Sequence, residues 1–179
     1  MTIFALSSGS GIAGIAIIRI SGPLTVSIVK NITGKEMPKP RVATLRKINN
    51  INTSELIDEG IILWFPGPQS YTGEDMAEIH VHGGKSVIQE VINSISSIKD
   101  CRLADPGEFT KLAFQNGKIN LLKAESIGDL ISAETEIQRS QAIKIMKGNS
   151  ANKFNQLREK LLKILSLVEA KIDLPDEDM

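Results

Sequence analysis

The sequence predicts an α+β fold, with a strand-bearing first part and long α-helices after it. Three observations carry this. Strand-like runs recur between residues 3 and 104, interleaved with short amphipathic helical patterns. The strand signal then ends at the corner Gly117–Asn120. From Leu121 onward, apolar residues step by three or four, the repeat of one helix face. Residues 1–118 are therefore expected to form one α/β domain, and 119–179 a helical one.

Residues 3–6 open as a strand. Ser7 to Gly14, SSGSGIAG, is a flexible segment, and Ile15 to Ile20 is a β-branched strand closed by Ser21-Gly22. Gly9, Gly11 and Gly14 have G-x-G-x-x-G spacing, but they precede a strand instead of following one, so the nucleotide-loop reading fails. Arg19 breaks the apolar run with a charge. It is either an outward-facing edge residue or a guanidinium aimed at a carboxylate or planar polar ligand.

Pro23 suits the first turn of a helix, in which Leu24, Ile28 and Ile32 form the apolar face up to Gly34. Residues 35–47 hold Lys35, Lys39, Arg41, Arg46 and Lys47 against Glu36, which reads as a solvated face with an exposed strand at 42–48. Leu56 to Phe65 reads as a strand, apolar from Gly60 on and therefore expected to be covered on both faces.

Pro66 to Gly84, PGPQSYTGEDMAEIHVHGG, runs from a turn-rich loop into a short strand and stops at Gly-Gly. Alternation places Ala77, Ile79 and Val81 toward a core, and Met76, Glu78, His80 and His82 on the other face. One carboxylate and both histidines thus share a surface beside a glycine-rich turn, a pattern that suits a small-molecule site.

Lys85 to Ile98 is a helix with Val87, Ile88, Val91, Ile92, Ile95 and Ile98 as its stripe, followed by a strand at Cys101–Ala104. Asp105-Pro-Gly-Glu108 has the order of a helix start: cap, proline, and an acid three residues on. Asn116-Gly117 stops that helix, so Lys118 sits on a sharp corner, and Asn120 can cap the next. Residues 121–147 and 152–173 read as two long helices broken at Gly148-Asn-Ser150, the second with Phe154, Leu157, Leu161, Leu165, Val168 and Ile172 on one face. Seven basic residues between Arg139 and Lys163, against Glu159, are either solvated helix faces or an RNA-facing stripe. The ending Asp176-Glu-Asp-Met179 after Pro175 reads as a fragment boundary, since two helices cannot bury their own stripes.

Composition narrows the function classes. The 21 basic and 21 acidic residues balance, which argues against gripping nucleic acid by bulk charge. One Trp, one Tyr and five Phe are too few for a base-stacking platform. A lone Cys101 excludes an intramolecular disulfide and a cysteine-rich zinc site, and is expected to be buried. No run reaches the roughly 18 apolar residues of a membrane span and no signal peptide is indicated, so a soluble cytoplasmic protein is expected.

The words IIRISGP (17–23), LWFPGPQSYTGED (63–75), EIHVHGG (78–84), ADPGEFTKLAFQNGKINLLKAES (104–126) and VEAKIDLPDED (168–178) resemble one family, the N-terminal part of the MnmE/TrmE tRNA-modification GTPases. The likeness covers essentially the whole chain. It implies a mixed-sheet domain similar to the tetrahydrofolate-binding domains of aminomethyltransferases, then a helical domain interrupted by an inserted GTPase domain. On this likeness the chain would stop before that insertion and should not hydrolyse GTP alone.

The resemblance further implies a homodimer formed through the N-terminal domain. It implies 5-formyl- or 5,10-methylene-tetrahydrofolate as one-carbon source, and the flavoprotein MnmG (GidA) and tRNA as partners. The expected product is an aminomethyl or carboxymethylaminomethyl group on C5 of the wobble uridine. GTP, magnesium and potassium would belong to the GTPase domain. By motif, the folate-contacting positions are Arg19, Glu78 and Lys118, with no catalytic residue and no metal ligand in this chain. Glu78 would accept from the N–H groups of the pterin edge, while Arg19 and Lys118 would meet carbonyl or carboxylate oxygens. The family's early proline- and arginine-bearing loop is replaced here by Ser8 to Gly14. Two other readings remain: a stand-alone folate-dependent aminomethyltransferase, and a purely structural dimer scaffold.

Overall fold

The computed structural model describes residues 1–9 and 11–173. Ser10 of the early loop and the acidic ending after Asp173 lie outside them. The chain divides into two compact units, Met1–Lys118 and Ile119–Met179.

The first unit is built on one six-stranded sheet. Its strands are β1 (Thr2–Leu6), β2 (Ala13–Ser21), β3 (Thr44–Asn49), β4 (Leu56–Phe65), β5 (Met76–Gly83) and β6 (Cys101–Leu103). Their spatial order is β3-β4-β5-β2-β1-β6. All neighbours run antiparallel except β1 and β6, so the sheet is mixed. Helices α1 (Thr25–Thr33), α2 (Lys85–Ser96) and α3 (Glu108–Gln115) complete the unit.

The register explains the core. Ile18 pairs with Ile79, Ile79 with Ile62, Ile20 with Ala77, and Ala16 with Val81. Residues directly opposite share a face, so these β-branched side chains form one apolar sheet surface. Ile28, Val29 and Ile32 of α1 and Val91 and Ile95 of α2 pack into the same buried cluster. The opposite face carries the register partners Arg19 and Glu78, Leu63 and Glu78, and Ile61 and His80.

Several expectations change here. β4 is covered on one face only: Ile62 is fully buried while Ile61 is 38% exposed, because both helices lie on one side of an antiparallel sheet. Met76, expected on the titratable face, is buried where the loop turns into β5. Cys101 is only half-buried, since β6 is a three-residue edge strand; desolvation and then the Asp100 charge push its thiol up. Asp105 is not the cap of α3. The helix starts at Glu108 after Gly107 in the left-handed region, and the Glu108 carboxylate folds back to accept from Asp105 N at 2.8 Å.

In the second unit, the stretch 121–147 is two helices instead of one. These are α4 (Leu121–Ser132) and α5 (Glu136–Met146), followed by α6 (Asn149–Asp173). Thr135 starts α5 with a capping box closed by Gln138. That T-x-x-Q word stood in the sequence as a start signal. Asn120 caps α4 through a 2.9 Å bond from Lys123 N, as its position predicts. Phe154, Leu157, Leu161, Leu165, Val168 and Ile172 of α6 are all exposed.

Candidate ligand site beneath the 66–75 loop

The loop from Pro66 to Asp75 is held from below by polar groups of its own word and of the β2 end. The Ser21 hydroxyl lies 2.7 Å from Thr72 Oγ1 and donates to Glu74 Oε2 at 3.1 Å. Gly67 N donates to Asp75 Oδ1, and the Asp75 carbonyl accepts from Gly22 N and Thr25 Oγ1. Ser21, Thr72 and Thr25 are fully buried. Buried hydroxyls need partners, and each has one here. Glu74 and Asp75 are therefore spent on the loop, and Glu78 is left to face outward.

The loop is held from above by α3 and the corner after it. Tyr71 Oη lies 2.9 Å from Thr110 Oγ1, Asn116 Nδ2 donates to Thr72 O at 2.7 Å, and Lys118 Nζ donates to Pro68 O at 2.7 Å. Gly73 has φ 85°, and a Cβ there would stand 3.3–3.4 Å from Asn116 and Lys118 side-chain atoms. Both backbone conformation and space call for glycine at this position.

Arg19 and Glu78 occupy opposed positions on β2 and β5. The guanidinium gives two bonds to one oxygen, from Nε at 3.1 Å and Nη2 at 2.7 Å to Oε1. The other oxygen, Oε2, has, among the described residues, only His80 Nε2 at 3.3 Å. The carbon of the guanidinium lies 5.9 Å from the Tyr71 ring centre and 5.6 Å from that of Phe109, within cation–π range. The Arg19 and Glu78 side chains are 28% and 14% exposed.

The three residues singled out by the sequence thus gather around one loop in different ways. Arg19 and Glu78 touch each other. Lys118 meets the loop at Pro68 and Gly73. The side chains that sequence reasoning missed are Tyr71 and Phe109, which flank Arg19 although 38 residues separate them in the chain. Tyr71 is the chain's single tyrosine, the one signal available beforehand.

His82 stands apart from this cluster. Its backbone N–H donates to Asp58 Oδ2 at 2.8 Å and its Nδ1 lies 2.9 Å from Oδ1, while its ring is 75% exposed. Burial alone would raise the Asp58 carboxyl; the hydrogen bonds from His82 and Glu59 N outweigh it and hold the group below its ordinary value. Between the histidines and β4 lies a cavity of about 230 Å³, lined by Ile15, Leu45, Glu59, Ile61, His80 and His82 among others. Among the described residues, no cluster of His, Cys, Asp and Glu has metal-binding geometry.

A mixed sheet with α1 and α2 on one face, and a hydrogen-bonded acid–guanidinium pair on the other, defines an α+β domain. The family model described as "GTP-binding protein TrmE N-terminus" matches residues 2–118, and that of the "MnmE helical domain" matches 121–179. The chain belongs to the TrmE/MnmE family. It is 76% identical over 179 residues to the tRNA modification GTPase MnmE of Pelagibacter ubique, covering all of this chain and 40% of that protein. It is 49% identical over 178 residues to the Rickettsia akari protein of the same name, covering 99% and 40%. It is 44% identical over 178 residues to the mitochondrial 5-taurinomethyluridine tRNA synthase subunit GTPB3 of Danio rerio, covering 99% and 35%. The chain therefore spans about 40% or less of the length of these relatives.

Proposed function

We propose that this chain is the folate-binding and dimer-forming portion of a tRNA-modifying GTPase acting on C5 of the wobble uridine. In this reading residues 1–118 hold a 5-formyl- or 5,10-methylene-tetrahydrofolate and form the homodimer. Residues 119–179 belong to the helical part. The partners are tRNA and the flavoprotein MnmG, in the cytoplasm. GTP, magnesium and potassium are assigned to the rest of the longer protein; the 179 residues hold no G-x-x-x-x-G-K-[ST] word. The relatives' established names support the tRNA-modifying class. They favour it over a stand-alone aminomethyltransferase.

The observation that carries the folate reading is the division of labour at Glu78. Oε1 is filled by Arg19, whereas Oε2 has, among the described residues, one long contact to His80 Nε2. A pterin edge offers N–H donors to such an acceptor. Tyr71 and Phe109 set aromatic rings beside the Arg19 guanidinium that holds Glu78, and Lys118, bonded to Pro68 O, is the cation assigned to an anionic tail. These residues fit a reduced folate, which when bound supplies a one-carbon unit. The chain's own groups bind and orient it. Arg19 fixes the Glu78 plane, and the loop shields the acceptor from water.

Isothermal titration with 5-formyl-tetrahydrofolate tests this. Saturable one-site binding is expected, and Glu78→Ala should weaken it by roughly ten- to a hundredfold, the range of a hydrogen bond to a charged group. Unchanged affinity in that variant would rule the assignment out.

A further inference from the structure

We propose that His80 is a positioning residue for Glu78, aiming and charge-tuning the oxygen that meets the ligand. This rests on the folate reading above and adds a residue to the three positions carried over by motif.

His80 and Glu78 lie two apart on β5, on the same face. Nε2 of His80 stands 3.3 Å from Glu78 Oε2, the oxygen that Arg19 leaves free. A bare nitrogen lone pair facing a carboxylate is repulsive, so the neutral ring carries its proton on Nε2 and donates to Oε2. Glu78 is then gripped at both oxygens, by a guanidinium on one and an imidazole on the other. Its plane is fixed with one lone pair of Oε2 left for a ligand donor.

Protonation of His80 leaves that geometry intact, because the new proton goes to Nδ1. Only the charge changes. An imidazolium beside Oε2 neutralises part of the carboxylate and makes it a poorer acceptor for ligand N–H groups. Ligand affinity therefore falls as the ring becomes charged.

The surroundings leave Glu78 as the group His80 acts on. On β4 the residue opposite is Ile61, with Glu59 two residues before it; Glu59 faces Lys47 of β3. On β2 the residue opposite is Ile17, and Arg19, next on that face, is engaged by Glu78. On β5 itself His82 is engaged by Asp58. β3 contributes Leu45 to the adjoining cavity. The His80 side chain is 22% exposed.

The test is titration of 5-formyl-tetrahydrofolate into the 179-residue chain between about pH 6 and pH 8, where histidine is the side chain that changes charge. The parent chain should bind at least about twofold more weakly at the acid end. His80→Gln keeps an N–H donor but does not titrate. It should hold the alkaline affinity within about twofold at both ends. His82→Gln should follow the parent. With only two histidines in the chain, the His82→Gln variant also isolates the His80 ring signals by NMR. These should move on folate addition, a readout that does not require the His80→Gln protein to fold. A flat parent profile, a His80→Gln profile as steep as the parent's, or unmoved His80 signals in folate-bound protein overturns the positioning role and leaves the folate reading standing. Absence of binding at every pH overturns both.

Discussion

Tyr71 Oη and Thr110 Oγ1 meet at 2.9 Å, joining the tip of the 66–75 loop to α3 directly above Arg19. The bond closes a frame in which the loop is fastened to β2 below and to a helix above. Tyr71→Phe keeps the ring against Arg19 and removes only this link. Denaturant unfolding should show a loss of about 0.5–1.5 kcal/mol, the net worth of one such bond. Folate affinity should drop by less than about tenfold. A loss of binding as deep as that of Glu78→Ala would mean the hydroxyl itself contacts ligand.

Lys118 spends its ammonium on the Pro68 carbonyl. Lys118→Met keeps the stem against Gly73 and removes the charge. Because an exposed contact of this kind is worth little to folding, stability should change by less than about 1 kcal/mol. Affinity for a polyglutamylated folate should fall more than affinity for one lacking the glutamate tail. Equal losses for the two ligands would place Lys118 away from the tail.

Gly60 is a packing requirement of the β4–β5 pair. A methyl group there would collide with the carbonyl oxygen of His80 across the ladder. Gly60→Ala should spread the strands carrying the site and cost more than about 2 kcal/mol in thermal or denaturant unfolding, beyond the ordinary range of surface changes. Ile79→Ala offers a calibration in the paired strand β5, since its fully buried side chain should cost about 2–5 kcal/mol. A neutral Gly60→Ala would overturn the close approach of the two strands.

Among the described residues three carboxylates, Asp58, Glu108 and the fully exposed Glu136, are held below their ordinary values, and the first two bear on the acid limb of stability. Asp58 is held below its ordinary value despite burial, by the His82 bonds, and Glu108 by the hydrogen bond from Arg102. A depressed folded value means the contribution is complete above the unfolded value, near pH 4, and is lost as pH falls through the folded one. Unfolding free energy measured between about pH 5 and pH 2 should therefore decline, and Asp58→Asn should make the decline shallower. An identical slope in that variant would remove Asp58 from this role.

Much of this fold could be read from period and punctuation. The 2.0 alternation of Ala77, Ile79 and Val81 placed them in the core, and Gly34 and Asn120 marked helix boundaries where the structure has them. The failures share a cause. β4 read as doubly covered because an apolar run reports its own composition, not how many layers the fold supplies. The stretch 121–147 read as one helix because apolar period outweighed the short start signal at Thr135.

At the site, residue types were legible and their partners were not. Strand alternation alone put Glu78 and the histidines on one face, and local chemistry made Arg19 a candidate for a carboxylate. Nothing local says that Arg19 opposes Glu78, because that is set by the β2–β5 register across 59 residues. Nor does anything local put Tyr71 and Phe109 over the guanidinium, or give Glu74 and Asp75 to the loop's own fastening. The sequence by itself determined which side chains of β5 share a face, Met76 at its start apart, since that follows from backbone geometry at every second residue. Tertiary structure decided which of them meet, since pairing is fixed only when separate strands and a helix are packed at defined distances.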